Sequence, residues 1–276
     1  MGASELRPDG DLAGRASRGG VLTLAGEALV RVFALAVTVA VALRLDAEAY
    51  GTVLLAITLH ALVDVASNPL FATVLLREAE LTDRKIDAAW TAALLRGLVL
   101  GGAFFAAAPW LAGWWPAERE VLTGYLRLLA IAFVLQGLTN LHAVRLRRGL
   151  RFAPAFLLES AAPFASIGIA LVALAVSQQP VWLVVAHVAG AGFGTLLTLV
   201  CIGPLPRLAF DRGHWLSLWR VGAPLLCNGM LAFVLLSGDA IVVQSLLGAA
   251  ALGVYGMGQR WSQMPMKMLV QALQNV

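Results

Sequence analysis

The sequence predicts an all-α membrane protein, a polytopic bundle of transmembrane helices, and three observations predict it. The chain has 276 residues, of which 60% are hydrophobic and 13% charged, with a mean hydropathy of +0.82. A soluble domain of this size has too little interior to hide that much apolar surface. Runs of Leu, Ala, Val and Gly recur at the length of about 20 residues that spans a bilayer, without the period-two alternation of barrel strands. Finally, Arg and Lys alternate from one connection to the next, as they do when successive loops lie on opposite sides of a membrane.

The elements follow in order. Residues 1–20 are polar and read as a cytoplasmic tail. They are not a secretory signal, because the apolar run after them is too long and carries Glu27 and Arg31. Seven apolar runs are expected at 21–43, 51–76, 88–113, 121–144, 153–176, 180–203 and 219–247, and an eighth begins at 251–276. With the N-terminus inside, the inner segments hold Arg7, Arg15, Arg18, Arg77, Arg84, Lys85, Arg145, Arg147, Arg148, Arg151, Arg207, Arg212 and Arg220; the outer ones hold Arg44 and Arg119. This asymmetry fixes the orientation. It also explains the net charge of +4 without a nucleic-acid partner. Trp90, Trp110, Trp114, Trp115, Trp182, Trp215 and Trp219 lie near run ends, where amphipathic rings settle at the interface, and only Trp261 falls within a run. Cys201 and Cys227 read as small core residues, and no metal-ligand, P-loop or zinc-protease spacing occurs. No cofactor is expected.

Two short bridges echo each other. Leu45-Asp46-Ala47-Glu48-Ala49-Tyr50-Gly51 and Leu247-Gly248-Ala249-Ala250-Ala251-Leu252-Gly253 share Leu, two Ala and Gly at matching positions. Each leaves one long run and enters the next. Six runs separate them, which predicts a parallel internal repeat about an axis along the membrane normal. The expected organisation is therefore a six-helix lobe over 21–203, a cytoplasmic connector over 204–218, and at 219–276 the first hairpin of a second, truncated lobe. The alternative is a half-size protein that dimerises.

Several stretches resemble bacterial polysaccharide flippases, the Wzx-type oligosaccharide exporters of the multidrug/oligosaccharidyl-lipid/polysaccharide (MOP) exporter superfamily. They are RVFALAVTVAVALRLDAEAYGTVLLAITLHALVDV, IDAAWTAALLRGLVLGGAFFAAAPWLAGWW, LQGLTNLHAVRLRRGLRF and SGDAIVVQSLLGAAALGVYGMGQRWSQMP. The resemblance implies a MATE-like fold, with two six-helix lobes facing a cavity that opens alternately to either side of the bacterial cytoplasmic membrane. It also implies a polyprenyl-diphosphate-linked oligosaccharide as substrate, other polysaccharide-assembly membrane proteins as neighbours, and no catalysis.

Ionisable groups inside spans each cost up to about 3 kcal/mol at mid-bilayer, so they demand a partner, water or a task. Arg31, Arg96, Arg127, Arg260 and Lys267 are candidates to line the cavity and grip a diphosphate, since a guanidinium binds phosphate oxygens in pairs. Snorkelling or pairing is the alternative for each. Glu27 and Arg31 stand four apart, as do His60 and Asp64, the spacing of helical neighbours. His60 with Asp64 can relay protons or simply form a packed pair. Glu159 and Asp239 read as coupling-ion or pairing candidates, with Arg260 or Lys267 as the expected partner of Asp239. Gly97 with Gly101, and Gly190 with Gly192 and Gly194, read as helix-packing positions rather than a nucleotide loop. The arginines at 145–151 and 207–220 read as headgroup anchors.

The expected function is flipping of polyprenyl-diphosphate-linked oligosaccharide by alternating access. A cation-coupled multidrug extruder of the same fold is the first alternative, and it requires Asp64, Glu159 and Asp239 to cluster unpaired. A membrane-embedded polymerase or ligase is the second, and it requires a long outer loop.

Overall fold

The computed structural model describes residues 26–274 apart from 27, 31, 69 and 70, with backbone alone at 212, 217 and 263–274. The described residues form helices and no strand. The first helix, α1, covers residues 32–44 together with helical positions at 26 and 28–30. Then come α2 (Ala47–Ser67), α3 (Phe71–Arg77), α4 (Asp83–Ala112) and α5 (Arg119–Gly137). A 3-10 turn (Leu141–Ala143) leads into α6 (Val144–Arg148), α7 (Phe152–Val176), α8 (Val181–Cys201) and α9 (Arg212–Gln274). Six of the described helical stretches are long and apolar enough to cross a bilayer, and the last of these is two helices. The chain is a multi-pass membrane protein.

Gly248 makes that last division. Its φ of 82° and ψ of 178° are open to glycine and strained for any other residue. The two halves, α9a (212–247) and α9b (249–274), fold back as a hairpin: Gln259 Nε2 donates to Leu236 O at 3.2 Å and to the Asp239 carboxylate at 3.1 Å. The other copy of the echo turns the chain differently. Asp46 is extended and its carboxylate accepts from Ala49 N at 2.8 Å, capping α2.

The two echoed joints touch each other. A Cβ on Gly51 would lie 1.8 Å from Ala249 O, and a Cβ on Gly253 would lie 1.9 Å from Ala47 O. These pairs exchange under the shift that relates the two joints, so the contact is reciprocal about a local dyad. Both helices run in the same direction and carry Ala-x-x-x-Gly at the crossing, the small-residue spacing that lets parallel membrane helices approach backbone to backbone. Without water to expel, this approach gains through close packing rather than through the hydrophobic effect.

The same device joins α4 to α5, where a Cβ on Gly97 would meet Phe133 O at 2.4 Å and one on Gly137 would meet Ala93 O at 2.8 Å. It also joins α8 to α7, where Gly190 and Gly194 face Ala162. The largest core cluster lies among α1, α2, α5 and α8, with Val41, Leu55, Leu126, Leu129, Phe133 and Val184 fully buried. Large apolar side chains such as Val99, Leu157, Leu235 and Leu246 are exposed, as a lipid-facing surface requires.

Three expectations about elements change. The run at 121–144 is not one helix: α5 ends at Gly137, and Asn140 turns the chain, its side-chain oxygen accepting from His142 N at 3.0 Å while its Nδ2 donates to Ile202 O at 2.9 Å. The run at 51–76 is interrupted at Asn68, whose φ of −94° and ψ of 103° are those favoured before a proline; Pro69 itself lies outside the described residues. The connector is shorter than 204–218, because α9 begins at Arg212. Its residues 203–211 are strapped to the bundle by hydrogen bonds rather than left free: Arg207 N donates to Asp87 Oδ1 at 3.2 Å and Ala209 N to Thr91 Oγ1 at 2.9 Å, while Trp215 at the start of α9a donates from Nε1 to Ala88 O at 3.0 Å.

Candidate functional site

A cavity of about 750 Å³ lies among α1, α3, α5, α7 and α8. The side between α5 and α8 is a neutral polar wall, with Gln136, Thr139 and Thr195; elsewhere Thr73, Ser166 and His187 stand among apolar residues such as Ala34, Leu76, Leu158 and Ile167. The polar wall is pre-set by its own bonds. Thr195 Oγ1 lies 3.1 Å from Thr139 Oγ1 and donates to Leu135 O at 2.8 Å; Asn140 N donates to Thr198 Oγ1 at 3.1 Å. At the end where the arginines gather, Arg147 and Glu159 line the cavity and pair with each other. Both are half-exposed, so water screens them and the pair adds little to stability.

A second cavity of about 180 Å³ adjoins it, sharing Ala34, Ser166, Ile167 and His187. Its polar groups are Tyr50, Ser166, His187 and Arg260. Tyr50 is 2% exposed and its hydroxyl has no hydrogen-bond partner among the described residues. Arg260 reaches in from α9b, with its guanidinium carbon 5.7 Å from the Tyr50 ring centre, a cation–π distance.

The sequence-derived candidates therefore separate. Arg96 is held by four bonds: Nε donates to Ser67 O at 2.9 Å, and Nη2 donates to Asp64 O at 2.9 Å, Asp64 Oδ1 at 2.6 Å and Ser67 Oγ at 2.9 Å. The pairing of His60 with Asp64 is replaced by this one. His60 turns instead toward His187, with ring centres 5.5 Å apart, and packs on Phe104 and Phe133. Arg127 is exposed and sits over the Phe105 ring at 5.1 Å, away from both cavities. Asp239 accepts from Tyr255 and Gln259 on the facing half of the hairpin rather than pairing with Arg260. Only Arg260 and Glu159 of the described candidates line a cavity. Glu27, Arg31 and the side chain of Lys267 lie outside the described residues.

The arginine run also does more than anchor. Arg145 pairs with Asp83, and Arg148 donates to Ala79 O at 2.7 Å. His142, 1% exposed, donates from Nε2 to Asp87 Oδ1 at 3.1 Å. The sequence reading singled out neither His142 nor His187. His187 gave one signal, the one basic side chain in its run.

A family profile described as polysaccharide biosynthesis protein matches residues 41–276. Neither the curated proteins nor the solved structures hold a significant match.

Proposed function

The chain belongs to the polysaccharide biosynthesis protein family, and from that premise we propose that it is a transporter, not an enzyme, that moves polyprenyl-diphosphate-linked oligosaccharide across the bacterial cytoplasmic membrane by alternating access. One observation carries the reading: the apolar helical bundle forms a cavity of about 750 Å³ whose α5–α8 side carries neutral polar groups. That volume and mixed lining suit a sugar headgroup whose lipid tail stays in the bilayer. Arg260, in the adjoining cavity, is the described cation best located to meet a diphosphate. The arginine-rich end faces the cytoplasm by the positive-inside rule, with the N-terminus on that side. The glycine-lined crossing of α2 and α9b then closes the outer end. Bilayer, sugar-lipid and other membrane proteins of polysaccharide assembly are its partners, and nucleic acid is not.

Two other readings lose support from the geometry. A cation-coupled drug extruder needs clustered, unpaired carboxylates, yet Asp64, Glu159 and Asp239 stand on different helices with separate partners. A polymerase or ligase needs a long outer connection, and the described ones are short, at 45–46, 113–118, 177–180 and Gly248.

The test is reconstitution in liposomes with a fluorescent polyprenyl-diphosphate-linked oligosaccharide, reading transbilayer movement by quenching. Wild type should accelerate movement. Ala191→Trp, which intrudes into the larger cavity, should slow it about tenfold, the effect of roughly 1.4 kcal/mol of obstruction. Movement no faster than in protein-free liposomes overturns the proposal.

A further inference from the structure

The histidine pair between the two cavities has no part in the reading above. His60 is 4% exposed, and its Nε2 has no hydrogen-bond partner among the described residues. Phe104 and Phe133 enclose it on two sides. Its third ring neighbour is His187, edge-on at 5.5 Å and 80°. His187 belongs to the lining of both cavities. A polar ring buried this deeply with an unused nitrogen is costly to keep. An all-apolar packing position gives no reason for two such rings to meet.

We propose that His60 and His187 form a proton-binding site that fills when the anionic headgroup of the transported sugar-lipid enters the adjoining 180 Å³ cavity; this rests on the transport reading for the identity of the anion.

The charges around the pair decide the coupling. From its own helix, Asp64 stands one turn away, and Arg96 of α4 neutralises it at 2.6 Å. From α5 the Phe133 ring packs on His60, and the uncharged Gln136 lines the larger cavity with His187. From α7, Ser166 borders both cavities, while Glu159 lies in the larger one and pairs with Arg147. From α9b, Arg260 lines the smaller cavity together with His187, over the Tyr50 ring. With that cavity lacking an anion, a proton on the pair would stand in an apolar shell opposite an arginine, beside a carboxylate already spoken for. An oxyanion between Arg260 and His187 reverses this. It accepts from the guanidinium, from the unpartnered Tyr50 hydroxyl and from a protonated imidazole, so each charge stabilises the other. Linkage then requires reciprocity: the anion draws a proton in, and low pH tightens the anion by the same factor. Only the proton is transferred. It comes from solvent and returns there when the headgroup leaves.

The experiment uses the full chain in detergent and octyl diphospho-glucose, a diester whose oxygens stay ionised near neutral pH. Calorimetric titration at pH 7.5, in two buffers of different ionisation enthalpy, counts protons taken up per molecule bound. Wild type should take up about one proton. His187→Asn and His60→Asn should bind the probe with none taken up, while His214→Asn keeps the wild-type value. No uptake by wild type, or unchanged uptake in both pair variants, overturns the proposal. A wild type that does not bind the probe at all sinks the transport reading instead. Histidine-labelled protein followed by NMR then decides the proton site alone. If replacing either ring shifts the titration midpoint of the other, the shared site stands; if the two titrate independently, it falls.

Discussion

At the hairpin end, Gly51 and Gly253 let two backbones touch; at the arginine-rich end, side chains of α4, α6 and α9 reach across several ångströms to hold a connector in place. The first contact has almost no freedom, because the atoms a Cβ would strike are backbone oxygens at 1.8 and 1.9 Å. The second is made of Asp83–Arg145 and the Asp87 bond to Arg207 N, both within reach of water or a headgroup, with the buried His142 held to Asp87 beside them. One end is thus closed by shape, and the other is fastened by groups that solvent can compete for. In an apolar solvent this division is expected, since close backbone packing works at depth while ion pairs are cheap only near the interface.

Gly253→Val is the strongest way to break the comparison. The branched side chain forces α2 and α9b apart, and unfolding titration in mixed micelles should show a loss of about 3 kcal/mol. Gly124→Ala, at a helical glycine with open space around it, is the matched control and should lose nothing. A Gly253→Val protein as stable as wild type would mean that shape does not close this end.

At the arginine-rich end, Asp87→Ala removes the acceptor for both His142 and Arg207 N. The expected loss is about 2 kcal/mol, with protease cleavage appearing first in residues 203–211. Cleavage unchanged there would show that Asn140 and Thr91 suffice to hold the connector. The smallest effect belongs to Glu159→Gln: its pair with Arg147 is half-exposed, so thermal stability should fall by about 0.5 kcal/mol or less. A larger loss would make the cavity rim structural.

The membrane class, the runs and the turn near residue 248 were legible because bilayer thickness and glycine geometry act locally. Gly97 and Gly190 were legible as packing positions for the same reason, since small-residue spacing is written along one helix. The echo at Ala47–Gly51 and Ala249–Gly253 was visible, but that its two copies touch was not. Asp64 shows the limit most clearly. Helical spacing offered it His60, four residues away, whereas its partner Arg96 is on another helix and reached only by folding. His187 carried no motif, and only the approach of α8 to α2 gives it meaning. The helix break at Asn140 had local signals in Gly137 and in the Asn140 cap on His142 N, but its tie to Ile202, far along the chain, had none.

The dyad at the crossed joints has a mechanical corollary. Contacts that straddle a two-fold axis sit at almost no radius from it, so twisting the hairpin about that axis barely displaces them. Splaying the helices apart must rupture both at once. The crossing therefore behaves as a pivot for one rotation and a bolt against the others, and whatever motion this end undergoes has to begin by drawing that bolt.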